Sequence, residues 1–203
     1  MKVLLLLVVL VAATSAQTSE ATQASVTTPS ISICHPPILS SAFKLSFEYA
    51  CREGRSFETC KGKVFWNGKV IDHITPNDYK VHTFFLWVTV RVGENSLKFV
   101  GHGWSDCFGL TIDNVKLVRS GTTENICINP GFEYPNVDGK WNVFNDIPGW
   151  WGHGFEIGSG KIYNHRWNSQ ICELDGHRNG FLSQEWAFDK YYHLRRRFNG
   201  TQN

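Results

Sequence analysis

The side chains able to do chemistry are spread thinly along this sequence, and the closest acidic pair is Glu173 and Asp175 in "CELDG". Residues two apart on a strand project from one face. Two carboxylates so placed are the elements of an acid and a base for glycoside hydrolysis. The neighbouring sequence supplies no cleft for them, and ordinary structural carboxylates are the more frequent outcome. The eight histidines, at 35, 73, 82, 102, 153, 165, 177 and 193, are scattered through strand-like and loop-like contexts. No HExxH, GxSxG or phosphate-binding loop occurs. The chain is therefore expected to be non-catalytic.

Its aromatic content is more informative. Of eight tryptophans, Trp66, Trp104, Trp150, Trp151 and Trp167 sit in or beside predicted turns. Indoles stack on the apolar C–H faces of sugar rings, while Asn, Asp and Arg meet the hydroxyls. The competing role is core packing, which claims most buried aromatics. Trp104 and Trp151 lie among glycine, histidine and polar residues and are the leading candidates to line a glycan site. Trp150, Trp66, Trp167 and Asn164 complete the candidate set.

Composition narrows the setting. Met1-Lys2, the apolar run from Val3 to Ala13 and the small residues Thr14-Ser15-Ala16 match a secretory signal peptide over residues 1–16. That run is shorter than the roughly 20 residues of a membrane-spanning helix. With Lys2 removed, 19 basic side chains face 18 acidic ones, so the chain carries no electrostatic footprint for nucleic acid. Arg195-Arg196-Arg197 is the one basic run and fits a solvated tail. All six cysteines (34, 51, 60, 107, 127 and 172) follow the leader, and an even count in an exported chain points to disulfides. Cys51 and Cys60 are close enough to clip one loop, whereas the pairing of Cys34, Cys107, Cys127 and Cys172 stays open. Asn199-Gly-Thr201 is an N-glycosylation acceptor pattern.

Strands must position whatever site exists. Residues 17–32 are rich in Ser, Thr, Ala and Gln and predict a flexible leader. From there "FKLSFEYA" alternates Phe43, Leu45, Phe47 and Tyr49, and "KVFWNGKVI" sets Asn67-Gly68 between apolar runs as a hairpin turn. "HTFFLWVTVRV", "NSLKFVGHG", "GLTIDNVKLV", "FEIGSGKIYN" and "GFLSQEWAF" predict further strands, and no long 3.6-residue periodicity appears. Many short strands with turn signals predict an all-β sandwich.

A resemblance enters on these residues. "INPGFEYP", "IPGWWG", "FEIG", "CELDG" and "NGFLSQ" (128–184) resemble the first half of a galactose-binding-domain-like jelly roll, as in DUF642-type proteins and related carbohydrate-binding modules. "FKLSFEYACREG", "FWNGKVIDHITP" and "GLTIDNVKL" (43–117) resemble its second half. The order is reversed relative to the family, which implies a circular permutant. One jelly-roll β-sandwich would span 33–198, with 33–119 as the second half, 126–198 as the first and 199–203 as a tail. Chain termini of compact domains tend to lie close together, which permits such rearrangement. The alternative is exchange of halves between copies. The resemblance also implies a structural calcium held by Glu133 and Asp113, supplied from either side of the joint at 120–125.

The expectation is a secreted, lectin-like module that binds an extracellular glycan or polysaccharide at a cell surface, wall or matrix. A structural coat or matrix protein that binds other chains or copies of itself is the first rival. A glycan-active hydrolase is the second.

Overall fold

The computed structural model describes residues 41–163, 169–175 and 177–195. The leader at 1–16, the segment at 17–32, Cys34, Asn164, Trp167 and the Asn199 acceptor lie outside the described residues. Within them the chain is all-β and contains no helix. Its strands are β1 (Ala42–Cys51), β2 (Gly62–Trp66), β3 (Lys69–Ile74), β4 (His82–Thr89), β5 (Gly93–Gly101) and β6 (Leu110–Arg119). After the joint come β7 (Trp141–Ile147), β8 (Trp150–Ser159), β9 (Gln170–Glu173), β10 (Phe181–Phe188) and β11 (Leu194–Arg195).

All these strands join one curled antiparallel sheet in the order β3-β2-β5-β10-β8-β9-β6-β1-β4, with β11 on β10 and β7 on β8. β8 makes the curl. Trp151 to His153 pair with β10, while Glu156 to Ser159 pair with β9. One strand thus spans both wings, β3-β2-β5-β10 on one side and β9-β6-β1-β4 on the other. The inner faces share one core: Leu97, Phe99 and Leu182 from the first wing, Phe43, Leu45, Phe47, Ile112 and Leu117 from the second, and Phe155 and Ile157 from β8. Burying this many large side chains, each worth about 1.5–3 kcal/mol, is what holds the curl closed.

Local rules explain the turns. Asn67 and Gly68 both adopt positive φ (51° and 77°), the twist-matched turn that joins β2 to β3. In β6 the pairing with β1 shifts register between Ser46 and Glu48, opposite Asn114 at φ 52°. That irregularity lets Ile112 and Val115 both face the core while Asp113 turns to the outer face. The joint after β6 is a tight return: Ser120-Gly121 turns, Val118 bridges Asn125, and the Ile126 N–H donates to Leu117 O. The halves on either side of it are hydrogen-bonded to one another, β10 to β5 and β9 to β6.

The cysteines need a correction. Cys51 and Cys60 form the expected disulfide across nine residues. Cys107, Cys127 and Cys172 are free thiols, so no pairing forms among them. Cys127 and Cys172 are core residues, behaving as small apolar side chains, and Cys107 is exposed in the loop before β6.

Candidate functional site

Antiparallel register decides which side chains share a face, and on the outer face of the first wing it assembles an aromatic row. Reading across the strands, Val70 lies opposite Phe65, Phe65 opposite Lys98, Lys98 opposite Ser183, Ser183 opposite Trp151 and Trp151 opposite Asp146. The neighbouring row places His73, Lys63, Val100, Phe181 and His153 in line. From Val70 to Trp151 is four strand steps, roughly 19 Å at about 4.8 Å each.

The side chains interlock along these rows. The Trp151 indole meets Phe181 edge to face, with centroids 5.6 Å apart. Lys98 Nζ sits 4.4 Å from the Phe181 ring centre and 5.9 Å from that of Phe65, a cation held between two π faces. Ser183 is buried and donates to Leu97 O, so it leaves the face flat between Lys98 and Trp151. Trp151 and Val70 remain nearly half exposed. Polar groups stand at the rim: Asp146 is exposed, and Arg178 Nη2 lies 3.0 Å from His153 Nε2. This is a shallow apolar platform with cationic and hydrogen-bonding groups along it and at its rim.

The sequence candidates fall on both sides of this result. Trp151 stands at one end of the platform row, against Phe181. Trp104 is more than half exposed in the β5–β6 loop, its backbone N–H donating to Glu58 O, but it lies off the platform strands. Trp66 and Trp150 are corrections: each is buried in the core, Trp66 with its indole N–H donating to Thr89 O and Trp150 to Asn129 O. Neither offers a ring face to a ligand. Phe65, Lys98 and Phe181 were absent from the candidates because only cross-strand register brings them together. Their alternation within "VFW", "LKF" and "GFLS" was the available signal.

The outer face of the second wing is acidic. Val143, Glu156, Glu173, Thr111 and Ala50 form one row across β7, β8, β9, β6 and β1. Trp141, Gly158, Ile171, Asp113 and Glu48 accompany it, with Asp113 and Ile171 next in line after the Ile112–Cys172 pair. Tyr163 folds over this surface. Its ring occupies the space a side chain at Gly158 would fill, and its hydroxyl donates to Glu156 Oε1. Arg52 stacks 4.8 Å from the Tyr163 ring centre and reaches within 3.8 Å of Glu173 Oε2. Glu173 Oε1 accepts the Gly109 N–H, and Asp175 Oδ2 that of Asp106. Burial is the main reason that Glu173 is pushed up to about 8, and Glu156 and Asp175 also lie above the ordinary carboxylate range for that reason. Glu173 and Asp175, the sequence pair, thus sit beneath loops with no exposed surface.

The two residues set beside a calcium both border Gly131. A side chain at Gly131 would lie 3.6 Å from both Asp113 Oδ1 and Glu133 Oε1. Asp113 is buried and pushed up to about 7, first by desolvation and then by Glu48 and Glu133, against hydrogen bonds from Asn114 N–H and Ser169 Oγ. Two hard oxygens and a hydroxyl are compatible with Ca²⁺. Among the described residues, however, no group of three or more His, Cys, Asp or Glu is arranged as a metal cage. Compared with family models, curated proteins and solved structures, the chain matches none.

Proposed function

We propose that this chain is an exported, non-catalytic carbohydrate-binding protein of permuted, galactose-binding-domain-like jelly-roll type, acting at a cell surface, wall or matrix. The observation that carries the reading is the flat row Phe65–Lys98–Ser183–Trp151 with Phe181 beside it. Its length suits an extended glycan laid across the strands, with rings stacked on Trp151 and Phe65 and hydroxyls meeting Lys98, Asp146 and His153. Stacking on rigid aromatics costs little side-chain entropy, so modest affinity can arise on an open surface. A structural calcium belongs to the same reading. Asp113 and Glu133 would hold it with the Ser169 hydroxyl, and it would relieve the repulsion between their carboxylates.

The test is a glycan array run with the purified exported chain in calcium and again in chelator. The reading expects selective binding to a family of related glycans. A blank array from folded protein overturns it. One observation favours the rival reading of a coat or matrix protein. The edge strand β4 exposes Phe85 at 65% and Trp87 at 57%, a surface suited to other protein chains.

A further inference from the structure

The last strand of a sheet offers unpaired N–H and C=O groups, a ready template for another strand. β4 ends the sheet order, and among the described residues its second side pairs with nothing. The other strands paired on one side only are blunted. β3 carries Lys69, Asp72 and His73 and meets β2 through a register shift at Val64–Phe65. β7 carries Asp146 and shifts register against β8 between Phe144 and Asp146, and β11 is two residues long. β4 has none of these devices. From Thr83 to Thr89 it contains no charged residue, proline or glycine, and its register with β1 runs unbroken from His82 to Thr89. Its eight residues present an edge of about 26 Å, at roughly 3.3 Å each.

The outer face along this edge is both apolar and polarised. Phe85 and Trp87 are more than half exposed, and Leu86 between them is over a third exposed. In register behind them on β1 stand Lys44 opposite Trp87, Ser46 opposite Phe85 and Glu48 opposite Thr83. β6 continues the same sense, with Lys116 behind Ser46 and the buried Asp113 behind Glu48. The face is therefore basic at the Trp87 end and acidic at the Thr83 end. Lys44 leans toward the edge, its Nζ 5.2 Å from the Phe85 ring centre. A second copy added antiparallel sets the basic end of each against the acidic end of the other. A parallel addition sets Lys44 in line with Lys44, like charges that repel. The charge order thus selects this same chain, turned end for end, as a strand that fits.

We propose that β4 joins β4 of a second copy, antiparallel about a two-fold axis at Phe85, to form a homodimer with one continuous sheet. Phe85 then faces Phe85 of the second copy, and Trp87 faces its Thr83 on either side of the axis. Each of the two rows reads Lys44–Trp87–Thr83–Glu48 across the junction. Two-fold pairing occupies both edges, so assembly stops at the dimer. The interface lies on the other wing from the aromatic platform and does not depend on the glycan reading.

Sedimentation velocity on the purified chain from about 1 to 200 μM reads the assembly directly. One strand edge buries less than the about 800 Å² per partner of a standard interface, so the dimer should dissociate at roughly 1–100 μM. Trp87→Lys puts two charges into the junction and should weaken dimerisation ~10-fold or more, with the fold kept because the side chain is exposed. Lys44→Glu should weaken it ~3-fold or more in low salt, and adding Glu48→Lys, which reverses both ends, should restore it. Trp151→Ala on the platform should leave the dimer unchanged. A dimer made by exchange of halves is indifferent to Trp87→Lys, and that indifference in folded protein overturns the proposal. A monomer at every concentration, growth beyond the dimer, or a double reversal as weak as the single one overturns it equally.

Discussion

Replacing Glu173 by glutamine should lessen the loss of stability that accompanies rising pH. Glu173 has no exposed surface and lies across from Glu156, two residues from Asp175 and 3.8 Å from Arg52. Burial moves its carboxyl from an ordinary 4.5 to about 8 in the folded state. A raised carboxyl binds its proton more tightly when folded, so its stabilising contribution is complete below pH 4.5 and is lost as pH climbs towards 8. At about 1.4 kcal/mol per unit, the loss approaches roughly 5 kcal/mol as an upper bound, and relaxation around Arg52 reduces it to a few. That is a large share of the about 5–15 kcal/mol expected for a domain. Glutamine can keep the acceptor for the Gly109 N–H while removing the titration. Urea unfolding at pH 5, 6.5 and 8 should show stability of the wild type falling with pH and a flatter profile for Glu173→Gln. Asp113, Glu156 and Asp175, raised for the same reason, leave the variant some slope, but parallel profiles would refute the claim that Glu173 contributes to it.

Other expectations concern packing, thiols and the metal. Gly158→Ala places a methyl where the Tyr163 ring lies and should cost about 2–4 kcal/mol, from overpacking and a disturbed buried hydrogen bond. Chemical denaturation would measure it, and a change under about 0.5 kcal/mol, the scatter of neutral surface changes, would contradict the contact. A thiol reagent on native protein should label Cys107 while Cys127 and Cys172 react only on unfolding; early labelling of either buried thiol would contradict the core assignment. Breaking the Cys51–Cys60 bond with serine at both positions should lower stability by roughly 2–3 kcal/mol, the loop-entropy value for its short span. If calcium binds Asp113 and Glu133, saturating metal should raise the melting temperature, and Asp113→Asn should remove that rise. A melting curve indifferent to metal would exclude the site.

Local signals in the sequence were sufficient for much of this architecture. Asn67-Gly68 marked its hairpin because only residues tolerant of positive φ make that turn cheaply. The alternation of Phe43, Leu45 and Phe47 placed β1 correctly, since period two leaves a single inner face. Neighbouring indoles show where local reading stops. Trp150 and Trp151 are adjacent, so a strand must send them to opposite faces, and nothing in "PGWWG" says which turns inward. The strand β9 was also illegible, because "QICE" is short and becomes a strand through pairing with β8 and β6. The platform and the acidic row are non-local in the same sense. Phe65 and Phe181, or Glu156 and Glu173, become neighbours only once register across several strands is fixed. The count of cysteines misled because an even number says nothing about burial, and Cys127 and Cys172 are filling core volume.

The most direct test of the central claim is calorimetric titration of an array-selected soluble glycan into wild type and the Trp151→Ala/Phe181→Ala double variant, with folding checked by unfolding curves. Both side chains are partly exposed on the outer face, so their loss should leave the core intact. Two lost stacking partners should weaken binding by ~10-fold or more, at about 1 kcal/mol or more each. A folded double variant that binds the glycan as tightly as wild type would contradict the platform as the binding face.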